Sequence, residues 1–190
     1  HLGDPVDLML QIEAAALPEQ IVHQEMLNVG DFQHFARHPS QDHIGERIWL
    51  RSADAPHAHD AATVELRRIL AADRHLPKVP MHLLPGETIQ YLNESRYCLS
   101  NKFISFVDAE FGDVEGGAKI GRIRDWIHAN FTYVAGSSDA DTNALDSFVE
   151  RRGVCRDFAH VMVTLARACG FPARIVSVYA LGVEPQDFHA

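Results

Sequence analysis

Apolar residues recur at helical spacing through the second half of the chain. In AKIGRIRDWIHANF (Ala118 to Phe131), Ile120, Ile123, Ile127 and Phe131 fall three or four residues apart, with Trp126 beside them. That period gathers the apolar side chains on one face and predicts an amphipathic helix turned toward a core. The period returns at Phe158, Met162, Leu165 and Cys169, which predicts a second helix starting at or near Cys155. Gly170 stands where a helix-ending glycine belongs, and Pro172 prevents resumption. Between these two helices ALDSFVERR reads as a shorter one, with Thr142 and Asn143 as candidate N-caps and Gly153 as its stop. ARIVSVYALG, from Ala173, reads as a strand, and the closing QDFHA opens a second.

The first half carries a different pattern. VDLMLQIEA (Val6 to Ala14), QIVHQEMLNV (Gln20 to Val29) and ERIWLRSA (Glu46 to Ala53) alternate in part and are separated by Gly, Pro, Asn and Asp. They predict an antiparallel unit of several strands. Residues 56–73 are polar, His-containing and Ala-rich, and read as helix or linker. LPKVPMHLLPG follows, where Pro77, Pro80 and Pro85 exclude a regular helix and mark a passage between two regions. The expectation is an α+β protein with a β-rich N-terminal domain over residues 1–75 and a second domain over 76–190. No internal repeat or low-complexity segment is evident.

Composition narrows the classes of function. Hydrophobic residues make up 46% of the 190, enough for a sizeable core. The formal net charge of −9 argues against the clustered basic face of a nucleic-acid binder and against polybasic attachment to a membrane. No apolar run approaches the roughly 18 residues of a membrane-spanning helix. HLGDPVDLML lacks the basic and apolar regions of a signal peptide, although a start at His rather than Met is compatible with removal of an upstream piece. The odd set Cys98, Cys155 and Cys169 reads as reduced, cytoplasmic usage. His34, His38 and His43 are spaced irregularly, and His57-x-His59 has no supporting Cys or carboxylate cluster, so no metal site is expected.

Cys155 occupies an unusual place. Helix starts favour Ser, Thr, Asp or Asn, whereas a thiol is a poor cap. A helix N-terminus offers unpaired N–H groups and partial positive charge, which favour thiolate over thiol. The same N–H groups can receive an oxyanion once sulfur attacks a carbonyl. Arg156 would add charge if its side chain turned that way, and the bare Gly153 would let a substrate carbonyl approach. The blander reading is a small buried hydrophobe. That reading suits Cys169, on the apolar face at the far end of the helix, and Cys98 in SRYCLS. A nucleophilic thiol needs a base, and His189 lies 34 residues on (189 − 155), in a strand that could return beside the helix start. His160 sits inside the helix and reads as packing or solvent-facing.

GVCRDFAHVMVTLARACGFPARIVSVYA resembles the signature of the transglutaminase-like superfamily, in its bacterial branch of candidate cysteine peptidases. Cys155, Phe158, Gly170, Phe171, Pro172, Ala173 and Arg174 match that pattern in order, and Phe188, His189 and Ala190 match its second signature. IRDWIHANFTYVAGSSDADTNALDSFVERRGVC resembles the family upstream, so the likeness runs from Ile120 to Ala190. The β-rich first half is similar to the N-terminal region of these bacterial proteins.

The resemblance implies a papain-like core, with the Cys155 helix packed on an antiparallel sheet that carries His189. It implies a Cys–His–Asp arrangement in which Cys155 forms a thioester and His189 moves the proton, with no metal or cofactor. The substrate would be a protein or peptide. Tyr133, in the family's Phe-x-Tyr segment, would line the cleft or simply pack; Arg174 would anchor the turn after the helix or form an ion pair. The family's acid lies one strand beyond the histidine, past residue 190, and Asp187 is not at that position. The core as given therefore reads as truncated after the histidine strand, or as continuing beyond it; a real truncation would leave an edge prone to aggregation. Three functions fit: a thiol-dependent hydrolase of peptide or amide bonds, acyl transfer to an amine as in transglutaminases, or a non-catalytic binding module.

Overall fold

The structure, a computed structural model, describes residues 5–40, 44–52, 58–67, 73–180, 182–184 and 188–190. The chain divides into two units, His1–Ala71 and Ala72–Ala190.

Strand alternation builds the first unit. β1 (Val6–Leu10), β2 (Gln20–Val29), β3 (His34–Pro39), β4 (Glu46–Ser52) and β5 (Ala58–Leu66) form two antiparallel sheets, β1-β4-β3 and β2-β5. In β4 the inward positions Ile48, Leu50 and Ser52 are buried, while Trp49 and Arg51 face out. The register lines Leu8, Leu50 and Phe35 across three strands, giving the sheet one apolar face. On the other face Asp7 accepts from Arg51 Nη1 at 3.1 Å.

Two features differ from the sequence reading. β5 lies where residues 56–73 were read as helix or linker. Asp60, Ala62 and Val64 alternate as its half-buried positions, and pairing with β2 overrides the helical propensity of its alanines. The outer parts of that stretch, 56–57 and 68–72, lie outside the described residues, as does His43. β3 was not anticipated, because HFARHP presents only Phe35 and Ala36 as apolar and gains its strand form from β4.

The second unit is mainly helical. Its entry, the proline-punctuated segment, carries a short 3-10 turn at Met81–Leu83, and 3-10 helices follow at Gly86–Leu92 and Ser100–Phe103. α1 (Ile104–Phe111), α2 (Gly116–Asn130), α3 (Ala144–Glu150) and α4 (Cys155–Ala168) follow. Phe103, Val107, Phe111, Ile123, Ile127, Phe131, Ala144, Val161 and Leu165 form the buried core. Each large apolar side chain so buried contributes about 1.5–3 kcal/mol relative to exposure. Phe148 sits among the rings, edge-on to Phe106 at 4.9 Å and stacked on Trp126 at 5.7 Å.

Helix ends follow the sequence closely. Asn143 caps α3, accepting from Leu145 N–H at 2.8 Å while Asp146 Oδ2 accepts from the Asn143 N–H at 3.0 Å. α3 stops two residues before Gly153, at Arg151, which adopts the left-handed conformation. Its guanidinium covers Phe148 at 4.1 Å and Trp126 at 4.7 Å, contacts that offset the backbone cost. Beyond α4, Gly170 has φ +73° and Phe171 N–H returns to the Ala166 carbonyl at 3.0 Å. Lys78 Nζ donates to the Cys169 carbonyl at 2.7 Å, pinning the entry segment to this helix end.

Two short strand pairs complete the unit: β6 (Thr132–Tyr133) parallel with β7 (Arg152–Gly153), and β8 (Val178–Tyr179) antiparallel with β9 (Phe188–His189). Among the described residues, the strand read over 173–182 is thus confined to Val178–Tyr179. Among the described residues no helix is long and apolar enough to cross a membrane.

Candidate active site

Cys155 is the first residue of α4 and its thiol is free and half-buried. The approach to it is set by the β6–β7 pair. Thr132 N–H donates to the Arg151 carbonyl at 2.9 Å and Val134 N–H to the Gly153 carbonyl at 3.0 Å. Tyr133 therefore lies opposite Gly153, two residues before the thiol. It is 57% exposed and its ring stands edge-on to Phe158 at 6.3 Å, so one side packs and the other meets solvent.

The residue before the thiol, Val154, is extended and has no capping side chain. Its carbonyl accepts from Asp157 N–H at 3.0 Å and Phe158 N–H at 3.1 Å. Among the described residues, the Cys155 and Arg156 N–H groups have no protein acceptor. Two backbone donors thus remain available beside the sulfur.

Sequence reasoning missed Asp157, which is fully buried. Its Oδ2 accepts from Val154 N–H at 2.8 Å, and its Oδ1 from Arg156 Nη2 at 3.2 Å. A carboxylate at the third position of a helix, reaching back to the cap, was the available signal. Arg156 also donates to the Asp139 carbonyl at 2.8 Å and to Ser138 Oγ at 3.2 Å. Its polar bonds therefore go to Asp157 and the 138–139 loop. Gly153 has a different purpose from the one expected. A Cβ there would lie 2.6 Å from Asp157 Cβ, so the missing side chain makes room for the carboxylate. In that loop, the Asp141 N–H, with the Thr142 hydroxyl and N–H, holds the Asp139 carboxyl below its ordinary range.

His160 is buried and stacks on Tyr97, with ring centroids 5.0 Å apart. Tyr97 Oη in turn donates to the Ala140 carbonyl at 2.8 Å. Burial, reinforced by the Arg156 charge and opposed by Asp157, pushes the His160 ring below its usual range. Its Nδ1 has no hydrogen-bond partner, so protonation would bury an unpaired donor. In the unfolded chain the ring titrates near its ordinary value of about 6.5. Stability from the neutral ring is therefore full above about pH 6.5 and falls as pH drops toward the lower folded value. Thermal midpoints between pH 7 and 5 are expected to fall more steeply for wild type than for His160→Gln.

The other cysteines sit in packed surroundings. Cys98 is buried, with its Sγ donating to the His160 carbonyl at 3.7 Å. Burial pushes the Cys169 thiol up. The turn after α4 is anchored by Arg167, which donates to the Ala173 carbonyl at 2.8 Å and to the Asn93 carbonyl at 2.8 Å. Arg174 lies over the Tyr91 ring at 5.6 Å.

His189 is half-buried on β9, opposite Val178, while Phe188 meets Tyr179 with ring centroids 5.2 Å apart. Among the described residues, no hydrogen bond joins Cys155 and His189. The fold brings Tyr133 to the Cys155 turn through backbone pairing and places His189 on β9, the second strand after α4. Asp187 and His57 lie outside the described residues.

Comparison with known proteins gives this arrangement a context. Residues 107–190 match the transglutaminase-like superfamily. A crystal structure of a candidate cysteine protease from Cytophaga hutchinsonii superposes with a TM-score of 0.84 at 31% identity, covering 98% of this chain and 66% of that one. An uncharacterised protein of Mycobacterium leprae is 37% identical over 54 residues, 28% of this chain and 19% of that protein. An uncharacterised protein of Mycobacterium tuberculosis is 39% identical over 59 residues, 31% of this chain and 18% of that protein. The matched stretch thus spans about a fifth of the length of these curated relatives. Over residues 107–190 the chain belongs to the transglutaminase-like superfamily.

Proposed function

We propose that the protein is a thiol-dependent hydrolase of peptide or amide bonds, with Cys155 as nucleophile and His189 as base. The observation that carries this reading is the half-buried Cys155 thiol at the start of α4, beside two backbone N–H groups that have no protein acceptor. Its membership of the superfamily and its likeness to the Cytophaga hutchinsonii protein support it.

The chemistry divides one difficult acyl transfer into two easier ones. Sγ attacks the carbonyl carbon as its proton passes to the His189 imidazole. The carbonyl oxygen becomes an oxyanion, received by the Cys155 and Arg156 N–H groups. Collapse expels the amine, which takes the proton from the imidazolium and leaves a thioester on Cys155. Water, giving up a proton to His189, attacks that thioester through a second oxyanion. The acid is released and the thiol restored. Tyr133, exposed opposite Gly153, lines the approach to the sulfur.

The test uses the full-length protein. Incubation with limiting iodoacetamide near neutral pH, read by peptide mass spectrometry, is expected to label Cys155 at least about tenfold faster than Cys98 or Cys169. Equal labelling of the three would sink the nucleophile. Carboxamide peptides, with and without a primary amine, then separate the reactions. Release of the acid in both conditions supports hydrolysis. An amine adduct would instead identify a transferase, and a reactive Cys155 without turnover of any such peptide would leave a binding module.

A further inference from the structure

Resting on the assignment of Cys155 as nucleophile, we propose that Asp157 is the positioning residue of that thiol. A carboxylate removed from water is costly unless its oxygens are occupied. Asp157 is fully buried and both its oxygens are occupied, Oδ2 by Val154 N–H at 2.8 Å and Oδ1 by the Arg156 guanidinium, with Nη2 at 3.2 Å.

The bond to Val154 N–H runs from the third residue of α4 back to the residue just before the sulfur. The helix thereby grips its own approach segment. From the other side, β6 holds the same peptide group, since Val134 N–H donates to the Gly153 carbonyl at 3.0 Å. The Gly153–Val154 peptide group that leads into Cys155 is therefore fixed at its N–H and at its carbonyl by different parts of the chain. Gly153 is shaped to this carboxylate as well. An added Cβ would lie 2.6 Å from Asp157 Cβ and 3.0 Å from Oδ2, closer than side chains pack. Arg156 extends the grip outward by binding Asp157, Ser138 Oγ and the Asp139 carbonyl with one guanidinium. Asp157 itself touches neither sulfur nor substrate in this account. It sets the direction in which Sγ and the two free N–H groups face. Errors of about an ångström in such placement cost up to about a hundredfold in rate.

The test compares Asp157→Asn and Asp157→Ala in the full-length protein by Cys155 alkylation rate and thermal midpoint. Asparagine keeps an oxygen for Val154 N–H, whereas alanine removes it. Asn is expected to stay within about threefold of wild type, while Ala slows Cys155 by about tenfold or more. A purely structural role predicts rates that do not separate the two variants. Folded Asp157→Ala at the wild-type rate would overturn the proposal, as would a folded Asp157→Asn as slow as Ala. Where Asp157→Ala does not fold, Gly153→Ala supplies the reading, because its methyl displaces the same side chain with its charge retained. Slowing by about tenfold supports the proposal, and a wild-type rate overturns it. A wild-type Cys155 no more reactive than Cys98 would remove the nucleophile assignment itself, and this proposal with it.

Discussion

His189→Ala is expected to lower kcat/KM on a cleavable peptide by about 10²–10⁴-fold, the span contributed by a positioned acid–base group. In the proposed acylation, two proton transfers depend on the imidazole: removal of the thiol proton as sulfur attacks and delivery of a proton to the departing amine. Without the ring, the first step relies on the small thiolate fraction that solvent supplies, and the second on water. The thermal midpoint is expected to change little, because His189 is half-buried on a two-residue strand and contributes little apolar burial. Alkylation of Cys155 slows in the same variant, whereas Cys98 is unaffected. Full activity in a folded His189→Ala would remove the histidine from the mechanism. The same measurement on His160→Gln is expected to leave most of the activity, since that ring is spent on Tyr97.

The largest expected effect on stability is at Phe111. It is completely buried, edge-on to Phe106 at 5.9 Å and to Trp126 at 6.2 Å. Phe111→Ala removes its transfer free energy and opens a cavity that the surrounding rings cannot fill, a loss of about 3–5 kcal/mol. Against a typical total of about 5–15 kcal/mol, that is a large share. Urea unfolding followed by fluorescence reports it, because Trp126 lies in the same core and the second tryptophan, Trp49, lies in the other unit. A Trp49→Phe background isolates the signal. Phe32→Ala, at a 52% exposed ring, is the control and is expected to cost under about 1 kcal/mol. A Phe111 loss as small as that would contradict its place in the core.

Helices were the most legible part of the sequence because their signals are local. The period of Ile120, Ile123 and Ile127 fixed one face of α2, and Asn143 and Gly170 marked helix ends through chemistry acting within a few residues. Cys155 at a helix start was visible for the same reason. Strands were less legible. β5 and β3 gain their form from partners distant in sequence, β5 from β2 and β3 from β4, and neither carries strong alternation of its own. In the site, Gly153 and Arg156 were noticed but given the wrong partners. Each was read against an imagined substrate or sulfur, whereas both are fitted to a buried Asp157 that composition and period do not reveal.

The short β6–β7 ladder also bears on how this site can change over generations. Its two strands hold the ends of the excursion through residues 134–143 and α3, while the thiol follows β7 and opens α4. Lengthening or rewriting the exposed part of that excursion adds little closure entropy, about 0.6 kcal/mol per doubling of a flexible loop. Selection can therefore remodel what stands beside the sulfur, through drift in loop residues other than the Ser138 and Asp139 that Arg156 binds, without disturbing the backbone that aims it. A thiol mounted in this way is a fixed point with an exchangeable neighbourhood, and descendants of one ancestor can diverge in what they hold beside it.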